Sequence, residues 1–312
     1  MRIIAVTGAT GFVGAHVLEQ IRVACPDAVL RALARRQQPD RPGVTWMPGT
    51  LDDPAALDDL VQDAGVVIHL AGAVKARTAS GFYAVNGRGT ASLLAAMARS
   101  APAAGLIHVS SLAARQPALS PYAGSKAAAE EMVTGLGRDR SWTILRPPGV
   151  YGPGDAEILK LLRMARRGIL PAPGHIGNRV SLIHARDLAE LIARLAARDI
   201  CHRAVLEVDD GQAGGYDYAD LARILAQVLQ RPVRPLTVPY PLLSASGKLN
   251  GLARRLIGQT PMLTAGKARE LCHPDWVARS GQAVLADIWT PQIDLSAGLR
   301  ETVDAARRAG HL

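Results

Sequence analysis

A tyrosine and a lysine near the middle of the chain have the spacing of a paired acid–base site. Tyr122 and Lys126 are four residues apart in a run with helical character, so their side chains share one helix face. A phenol has an ordinary pKa of about 10, and a neighbouring ammonium and a helix N-terminus both favour its charged form. We therefore expect the pKa of Tyr122 to be lowered, so that its hydroxyl exchanges a proton with a substrate oxygen.

A glycine-rich turn follows the first apolar run of the chain. Thr7 begins the turn, and glycines stand at positions 8, 11 and 14. Gly8 allows a tight turn, Gly11 lets the backbone approach a pyrophosphate, and Gly14 permits close packing of a helix on a strand. Free N–H groups at the start of that helix then face the phosphates. The spacing predicts a dinucleotide site.

The elements that must position these residues alternate along the chain. Strands are predicted near 2–7, 28–34, 44–47, 66–70, 106–110 and 142–146, and helices near 12–24, 53–62, 84–100 and 121–136. This order predicts an α/β protein with a Rossmann-type, doubly wound parallel sheet and a smaller C-terminal substrate lobe. Ser120 and Pro121 are typical of a helix N-cap and first helical position, which places Tyr122 in the first turn.

Further motifs follow in a fixed order. They are His69–Gly72 after an apolar strand, Asn86–Thr90 opening a long helix, Arg146–Gly154, His184–Leu188 and Trp289–Pro291. With the glycine turn and the Tyr122 pair, they make the chain similar to the extended short-chain dehydrogenase/reductase superfamily over most of its length. Within its epimerase/dehydratase-like branch, the chain looks closer to the hydroxysteroid dehydrogenase and dihydroflavonol reductase relatives.

The resemblance implies the roles of the site residues. Ser111 hydrogen-bonds the substrate oxygen, Tyr122 transfers the proton, and Lys126 also holds the nicotinamide ribose. Ser111 is preferred over Ser110 because it follows the strand end at the family spacing. Asn86 supports the sheet and the cofactor pocket. Besides Tyr122 and Lys126, the implied cofactor residues are Gly8, Gly11, Phe12, Val13, Gly14, Leu51, Leu70, Ala71, Gly72, Asn86, Pro147, Gly149 and Val150.

The resemblance also implies two parts of the chain. Residues 1–150 form a dinucleotide-binding domain, and residues 151–312 form mainly a substrate-binding lobe, with segments at about 179–208 returning to the sheet. Family members often dimerise through two helices of the dinucleotide domain, so a homodimer is one possible state.

The choice of cofactor depends on the end of the second strand. A Rossmann unit that selects NAD normally has an acidic residue about 20 positions beyond the glycines. Here Arg35 and Arg36 stand at this point, and an arginine suits a 2′-phosphate. We therefore expect NADP(H), with NAD(H) as the alternative. Thr50 replaces the aspartate that the family places near the adenine, which puts that contact in doubt.

Two departures from the family pattern bear on the substrate. Gly149 stands where nucleotide-sugar enzymes of this branch have asparagine, and Val180 stands where they tend to have arginine. Arg179 is one residue away, which in a strand is the opposite face. We expect an oxidoreductase that interconverts a carbonyl and a secondary alcohol on a fairly apolar small molecule. The alternatives are a nucleotide-sugar epimerase or dehydratase, and a non-catalytic dinucleotide-binding sensor or assembly subunit.

Composition limits the remaining function classes. The chain has 312 residues, a formal net charge of +9 and a pI near 9.9, but its arginines are dispersed and lack interleaved aromatics, so no nucleic-acid partner is expected. Cys25, Cys201 and Cys272 are too far apart for a metal or redox motif, and reduced thiols suit the cytoplasm. No apolar stretch reaches the roughly 18 residues of a membrane span.

Some side chains and segments allow more than one interpretation. His69, His108 and His184 lie at predicted strand ends, where packing is favoured over catalysis, and no metal is expected. Lys75 faces the substrate or is simply exposed. The apolar and basic segment 241–262 is a core helix, a lid or a membrane-surface helix, so peripheral membrane contact remains open.

Overall fold

A parallel sheet forms the centre of the protein. The computed structural model describes residues 2–136, 140–198, 203–246, 264–279 and 282–312. The strands are β1 (Ile3–Thr7), β2 (Val29–Ala34), β3 (Val44–Pro48), β4 (Val66–His69), β5 (Gly105–Val109), β6 (Trp142–Arg146), β7 (Gly149–Tyr151), β8 (Ile169–Pro173), β9 (Arg179–Val180), β10 (Leu182–His184), β11 (Ala204–Glu207), β12 (Arg234–Val238) and β13 (Asp275–Trp276).

Seven of these strands pair in the order β11-β6-β5-β4-β1-β2-β3, all parallel. The strand order reverses between β1 and β4, and in such folds ligands bind outside the carboxyl ends of the strands at this point. The central strands are buried on both faces, which explains why β4 and β5 are nearly continuous apolar runs. The predicted Rossmann-type sheet is confirmed, as are its six predicted strands.

Helices cover both faces of the sheet. They are α1 (Phe12–Ala24), α2 (Pro54–Val61), α3 (Ala79–Phe82), α4 (Gly89–Ser100), α5 (Pro121–Thr134), α6 (Ala156–Ala165), α7 (Ala185–Arg198), α8 (Tyr218–Leu229), α9 (Ala265–Cys272), α10 (Gln282–Leu285) and α11 (Leu295–Arg308). Helices α1 and α7 pack on one face of the sheet, and α2 and α4 pack on the other. A π-helical turn, Tyr83–Arg88, joins α3 to α4.

A second apolar cluster holds the elements that follow β7. Helices α6, α8 and α11 pack together there, beside the two-stranded pairs β7/β10 and β8/β12. Strand β11 lies in the main sheet beside β6. Residues 247–262 of the apolar and basic segment, and Cys201, lie outside the described residues. Across the described ranges, no helix combines the length and apolar character that crossing a bilayer requires.

Candidate active site

The glycine turn brings β1, α1 and the end of β4 into close approach. Gly8 has a φ of +74°, and a Cβ there would lie 2.5 Å from the Ala71 nitrogen. A Cβ on Gly14 would lie 2.3 Å from the Gly8 carbonyl oxygen. Helix α1 begins after Gly11, which has no capping side chain, so its first N–H groups point toward the turn. Phe12 and Val13 are the first two residues of this helix, next to the turn.

Asn86 connects the loop after β4 to helix α5. Its Oδ1 accepts a hydrogen bond from the Ala73 nitrogen at 2.7 Å, and its Nδ2 donates to the Ala73 oxygen at 3.1 Å and to Ser125 Oγ at 2.8 Å. Asn86 is buried in the π-helical turn, a distortion that often marks functional sites. A Cβ on Gly72 would lie 2.9 Å from Lys126 Nζ, so the loop passes directly over the lysine. Leu70 and Ala71 complete this loop.

Helix α5 carries the predicted acid–base pair. Ser120 caps the helix through a hydrogen bond from the Ala123 nitrogen, and Pro121 is its first residue, as expected. Tyr122 is partly buried in the first turn. Lys126 lies one turn further on, only 5% exposed, and its Nζ donates to the Val109 carbonyl at 3.1 Å. The lysine is therefore fixed at the carboxyl end of β5.

Burial controls the protonation of both groups. Burial raises the pKa of Tyr122, and a hydrogen bond with Ser111 and the charge of Lys267 oppose that rise. Burial lowers the pKa of Lys126 to about 8, against the charge of Glu130. The expected lowering of the tyrosine pKa is thus wrong, because desolvation of the phenolate outweighs the effects of Ser111 and of the Lys267 charge. At neutral pH the phenol keeps its proton.

The two adjacent serines have different partners. Ser110 is buried, and its Oγ donates to Glu130 Oε1 at 2.5 Å. Glu130 also pairs with Arg146 at 2.5 Å. Ser111 caps the 3-10 turn Leu112–Arg115 by accepting a hydrogen bond from the Ala113 nitrogen, and its side chain acts to lower the pKa of Tyr122. Because successive residues of an extended chain face opposite sides, only Ser111 faces the tyrosine.

The two arginines stand at the sheet edge that carries the glycine turn. Arg35 and Arg36 directly follow β2, and both side chains are exposed. Since β2 pairs with β1, they lie beside the start of α1. Thr50 Oγ1 accepts a hydrogen bond from the Asp52 nitrogen, so its hydroxyl supports a turn. Leu51 packs against Gly89, where a Cβ would lie 2.7 Å from its Cδ1.

The positions that differ from the nucleotide-sugar pattern have structural explanations. Gly149 opens β7, and a Cβ there would already lie 2.9 Å from Leu182 Cδ2. Arg179 donates to the carbonyl oxygens of Gly214 at 2.6 Å and Gly215 at 3.0 Å. Its guanidinium therefore holds a turn of the lobe. Pro147 lies in the link between β6 and β7, and Val150 is the middle residue of β7.

A cleft of about 190 Å³ opens onto Tyr122. Its walls come from the loop after β4 and from helices α3, α5, α6 and α9, and both apolar and charged side chains line it. The lining residues are Val74, Lys75, Ala76, Phe82, Ser120, Pro121, Tyr122, Glu157, Thr264, Lys267 and Glu270. Lys75 forms an ion pair across the cleft with Glu157 at 2.8 Å.

Helix α9 contributes residues that the sequence analysis did not identify. Lys267 Nζ lies 5.8 Å from the centroid of the Tyr122 ring, and it pairs with Glu270 at 2.8 Å. Glu270 is buried and accepts a short hydrogen bond from Ser120, the N-cap of α5. This contact joins two helices that are far apart in sequence, so no local pattern signals it.

The buried histidines lie within the packed structure. Thr90 Oγ1 donates to the Asn86 oxygen at 2.6 Å, so His69 Nε2 must donate to Thr90 at 2.9 Å. Its Nδ1 then accepts from Thr7 Oγ1 at 2.6 Å. His184 packs edge-on against Tyr151, with ring centroids 5.3 Å apart. Neither histidine is among the residues that line the cleft.

Acid should destabilise the protein partly through His69. Burial, with a smaller effect of the Lys126 charge, lowers the pKa of His69 to about 3, whereas an unfolded histidine titrates at about 6.5. Between these values the unfolded chain binds the extra proton, so the free energy of unfolding falls as pH falls, by up to about 1.4 kcal/mol per pH unit. Urea unfolding from pH 7 to pH 5 should show this slope. His69→Gln should flatten it, and equal slopes in both proteins would contradict the assignment.

Comparison with known proteins identifies the protein family to which this chain belongs. The fold is of the Rossmann type, and the model of the "NAD dependent epimerase/dehydratase family" matches residues 4–205. The chain belongs to this family of NAD(P)-dependent enzymes, an extended branch of the short-chain dehydrogenases/reductases.

Individual relatives are similar over nearly the whole chain. The ceramide reductase of Caulobacter vibrioides is 39% identical, over 99% of this chain and 96% of the relative. The decarboxylating sterol-4-alpha-carboxylate 3-dehydrogenase of Candida albicans is 21% identical, over 96% of each chain. The structure of MoeE5 in complex with UDP-glucuronic acid and NAD has a TM-score of 0.73 at 20% identity, covering 99% of this chain and 100% of MoeE5.

Proposed function

We propose that this protein reduces a ketone on an apolar, lipid-like molecule to a secondary alcohol, with NADPH as the reductant. The observation that carries the proposal is the position of Tyr122, whose phenol lines the cleft and, with a pKa that burial raises from about 10, holds its proton at neutral pH. A protonated phenol is the form that donates to a carbonyl oxygen. Reduction therefore needs no prior ionisation of the site.

Each site residue has a separate task in this reaction. When bound, the nicotinamide supplies the hydride that reaches the carbonyl carbon. Ser111 holds the carbonyl oxygen, and Tyr122 donates its proton to that oxygen as the carbon is reduced. The charge of Lys267 stabilises the phenolate left behind. Asn86 holds the loop over Lys126, which keeps the ammonium in position.

The residues of the cofactor site fit a dinucleotide with a 2′-phosphate. Gly8, Gly11 and Gly14 leave room for a pyrophosphate at the start of α1, where N–H groups favour an anion. The exposed Arg35 and Arg36 lie beside that turn, and a guanidinium can hold a phosphate through two hydrogen bonds. These arginines favour NADP(H) over NAD(H).

Two observations support an apolar substrate. Arg179 is engaged with backbone carbonyls, and Leu182 occupies the space beside Gly149, so neither position offers an anchor for a diphosphate. The ceramide reductase relative, at 39% identity, carries the name of an enzyme that acts on a long-chain lipid. Burial of apolar ligand surface gains about 25 cal/mol per Å², so a long ketone can bind without a charged group of its own.

Ligand-induced stabilisation tests the substrate class. In the presence of NADP⁺, long-chain keto-lipids should raise the melting temperature, because a ligand that binds only the folded state stabilises it. UDP- and TDP-sugars should leave the melting temperature unchanged. A clear shift with a nucleotide sugar at sub-millimolar concentration would contradict the proposal and favour an epimerase or dehydratase.

A further inference from the structure

A cluster of arginines lines an open cleft far from the glycine turn. Arg163, Arg166 and Arg167 come from the end of α6, Arg231 follows α8, and His311 lies after α11. The cleft has a volume of about 330 Å³, and these five basic residues are all of its lining. Arg163 donates to the His311 carbonyl at 3.2 Å. Among the described residues, none of the four guanidinium groups pairs with a carboxylate.

An exposed aliphatic surface borders this arginine cluster. Strand β8 starts two residues after Arg167, and β12 starts three residues after Arg231. Ile169 is 41% exposed and Leu236 is 56% exposed, and their strands pair side by side with both residues on the outer face. Met164, between the arginines of α6, is 41% exposed. Uncompensated cations therefore stand next to protruding aliphatic side chains.

The same strand pair leads toward the cleft of Tyr122. The end of β8 continues into a turn in which Asn178 Nδ2 donates to the Cys272 carbonyl at 3.3 Å. Cys272 is the last residue of α9, and Lys267 and Glu270 of that helix line the cleft. The outer face of β8 and β12 thus extends from the arginine cluster to the helix that forms one wall of the cleft.

We infer that this face docks on an anionic membrane, with the arginine cluster on lipid phosphates and the aliphatic side chains in the headgroup region. Arginines bind phosphate through paired hydrogen bonds, and aliphatic side chains beside cations are typical of surfaces that lie in a membrane interface. The aliphatic neighbours argue against RNA, because single strands are held by aromatic rings that stack on bases. The inference rests on the proposed function in one respect, because a lipid-like substrate would be found in a membrane. Binding of the protein to vesicles does not depend on turnover.

Vesicle flotation of the purified protein tests this docking. Vesicles of equal parts phosphatidylcholine and phosphatidylglycerol should bind the protein, and pure phosphatidylcholine vesicles should not. Each basic residue near an anionic surface contributes about fivefold to binding. The triple variant Arg166→Gln, Arg167→Gln, Arg231→Gln should therefore bind about 100-fold more weakly. Its melting temperature should stay close to that of the unmodified protein, since these side chains are exposed.

The matched control removes the same charge elsewhere. The control variant Arg22→Gln, Arg88→Gln, Arg99→Gln changes three exposed arginines on the side of the molecule that carries the glycine turn. Its vesicle binding should stay within about threefold of the unmodified protein, which is a smaller loss than the one expected for removing a single docking arginine. Equal losses in both triple variants would show a general charge effect and overturn the inference. Failure to float with anionic vesicles would overturn it too, as would full displacement by inorganic phosphate or binding of an RNA oligonucleotide in place of vesicles. No cofactor or substrate is present, so these outcomes are independent of the proposed reaction.

Discussion

Replacing Tyr122 by phenylalanine should lower the turnover number by at least about 100-fold while NADPH binds as before. A positioned proton donor contributes roughly 10² to 10⁴ in rate, and the substitution removes only the oxygen that donates. The aromatic ring keeps its edge contact with Phe82, at a centroid distance of 6.0 Å, so the cleft wall remains. Steady-state kinetics gives the turnover number, and calorimetric titration gives the NADPH affinity.

The control for this variant is the same chemical change outside the proposed proton path. Tyr83→Phe removes the hydroxyl of a tyrosine whose side chain is 42% exposed, and its turnover should stay close to that of the unmodified protein. If Tyr122→Phe kept more than about a tenth of the activity, its hydroxyl would contribute less than proton donors normally do, and the role would belong to another group.

Arg35→Ala should remove most of the preference for NADPH over NADH. A hydrogen bond to a charged group contributes about 1.5 to 3 kcal/mol, so its loss should weaken NADPH binding by roughly 10- to 150-fold. The affinity for NADH, which lacks the 2′-phosphate, should change little. Calorimetric titration with both cofactors measures this difference.

The matched control is Arg22→Ala, which removes an exposed arginine at the end of α1 that does not face the glycine turn. It should leave both affinities unchanged. Equal affinity of the unmodified protein for NADPH and NADH would contradict the assignment of Arg35 and Arg36 to the 2′-phosphate.

The strands and helices of the sheet were predictable because their signals are local. The apolar run at the start of the chain ends at Thr7 and a glycine turn follows, and Ser120 with Pro121 marks the start of α5. Such patterns depend on residues a few positions apart. The structure therefore reproduces each of these elements to within a few residues.

The wall of the cleft was not predictable, because it depends on contacts between distant parts of the chain. Lys267 lies over the Tyr122 ring, and Glu270 of the same helix binds Ser120, 150 residues earlier in the sequence. The direction of the Tyr122 pKa shift was not predictable for a similar reason. Whether the pKa rises or falls depends on the balance between burial of the phenol and the charge of nearby cations. A sequence shows which cations are present, but it does not show how deeply the phenol is buried.

Transfer of an isotope from the cofactor tests the central claim most directly. NADPH carrying deuterium at both C4 positions is incubated with the protein and a long-chain keto-lipid, and the product is analysed by mass spectrometry. Ketone reduction predicts one deuterium on the carbinol carbon for each NADPH oxidised, and a rate of incorporation at least about 100-fold lower when Tyr122→Phe replaces the native enzyme. Conversion of a UDP- or TDP-sugar without added cofactor, and with no net oxidation of NADPH by any ketone, would contradict the account.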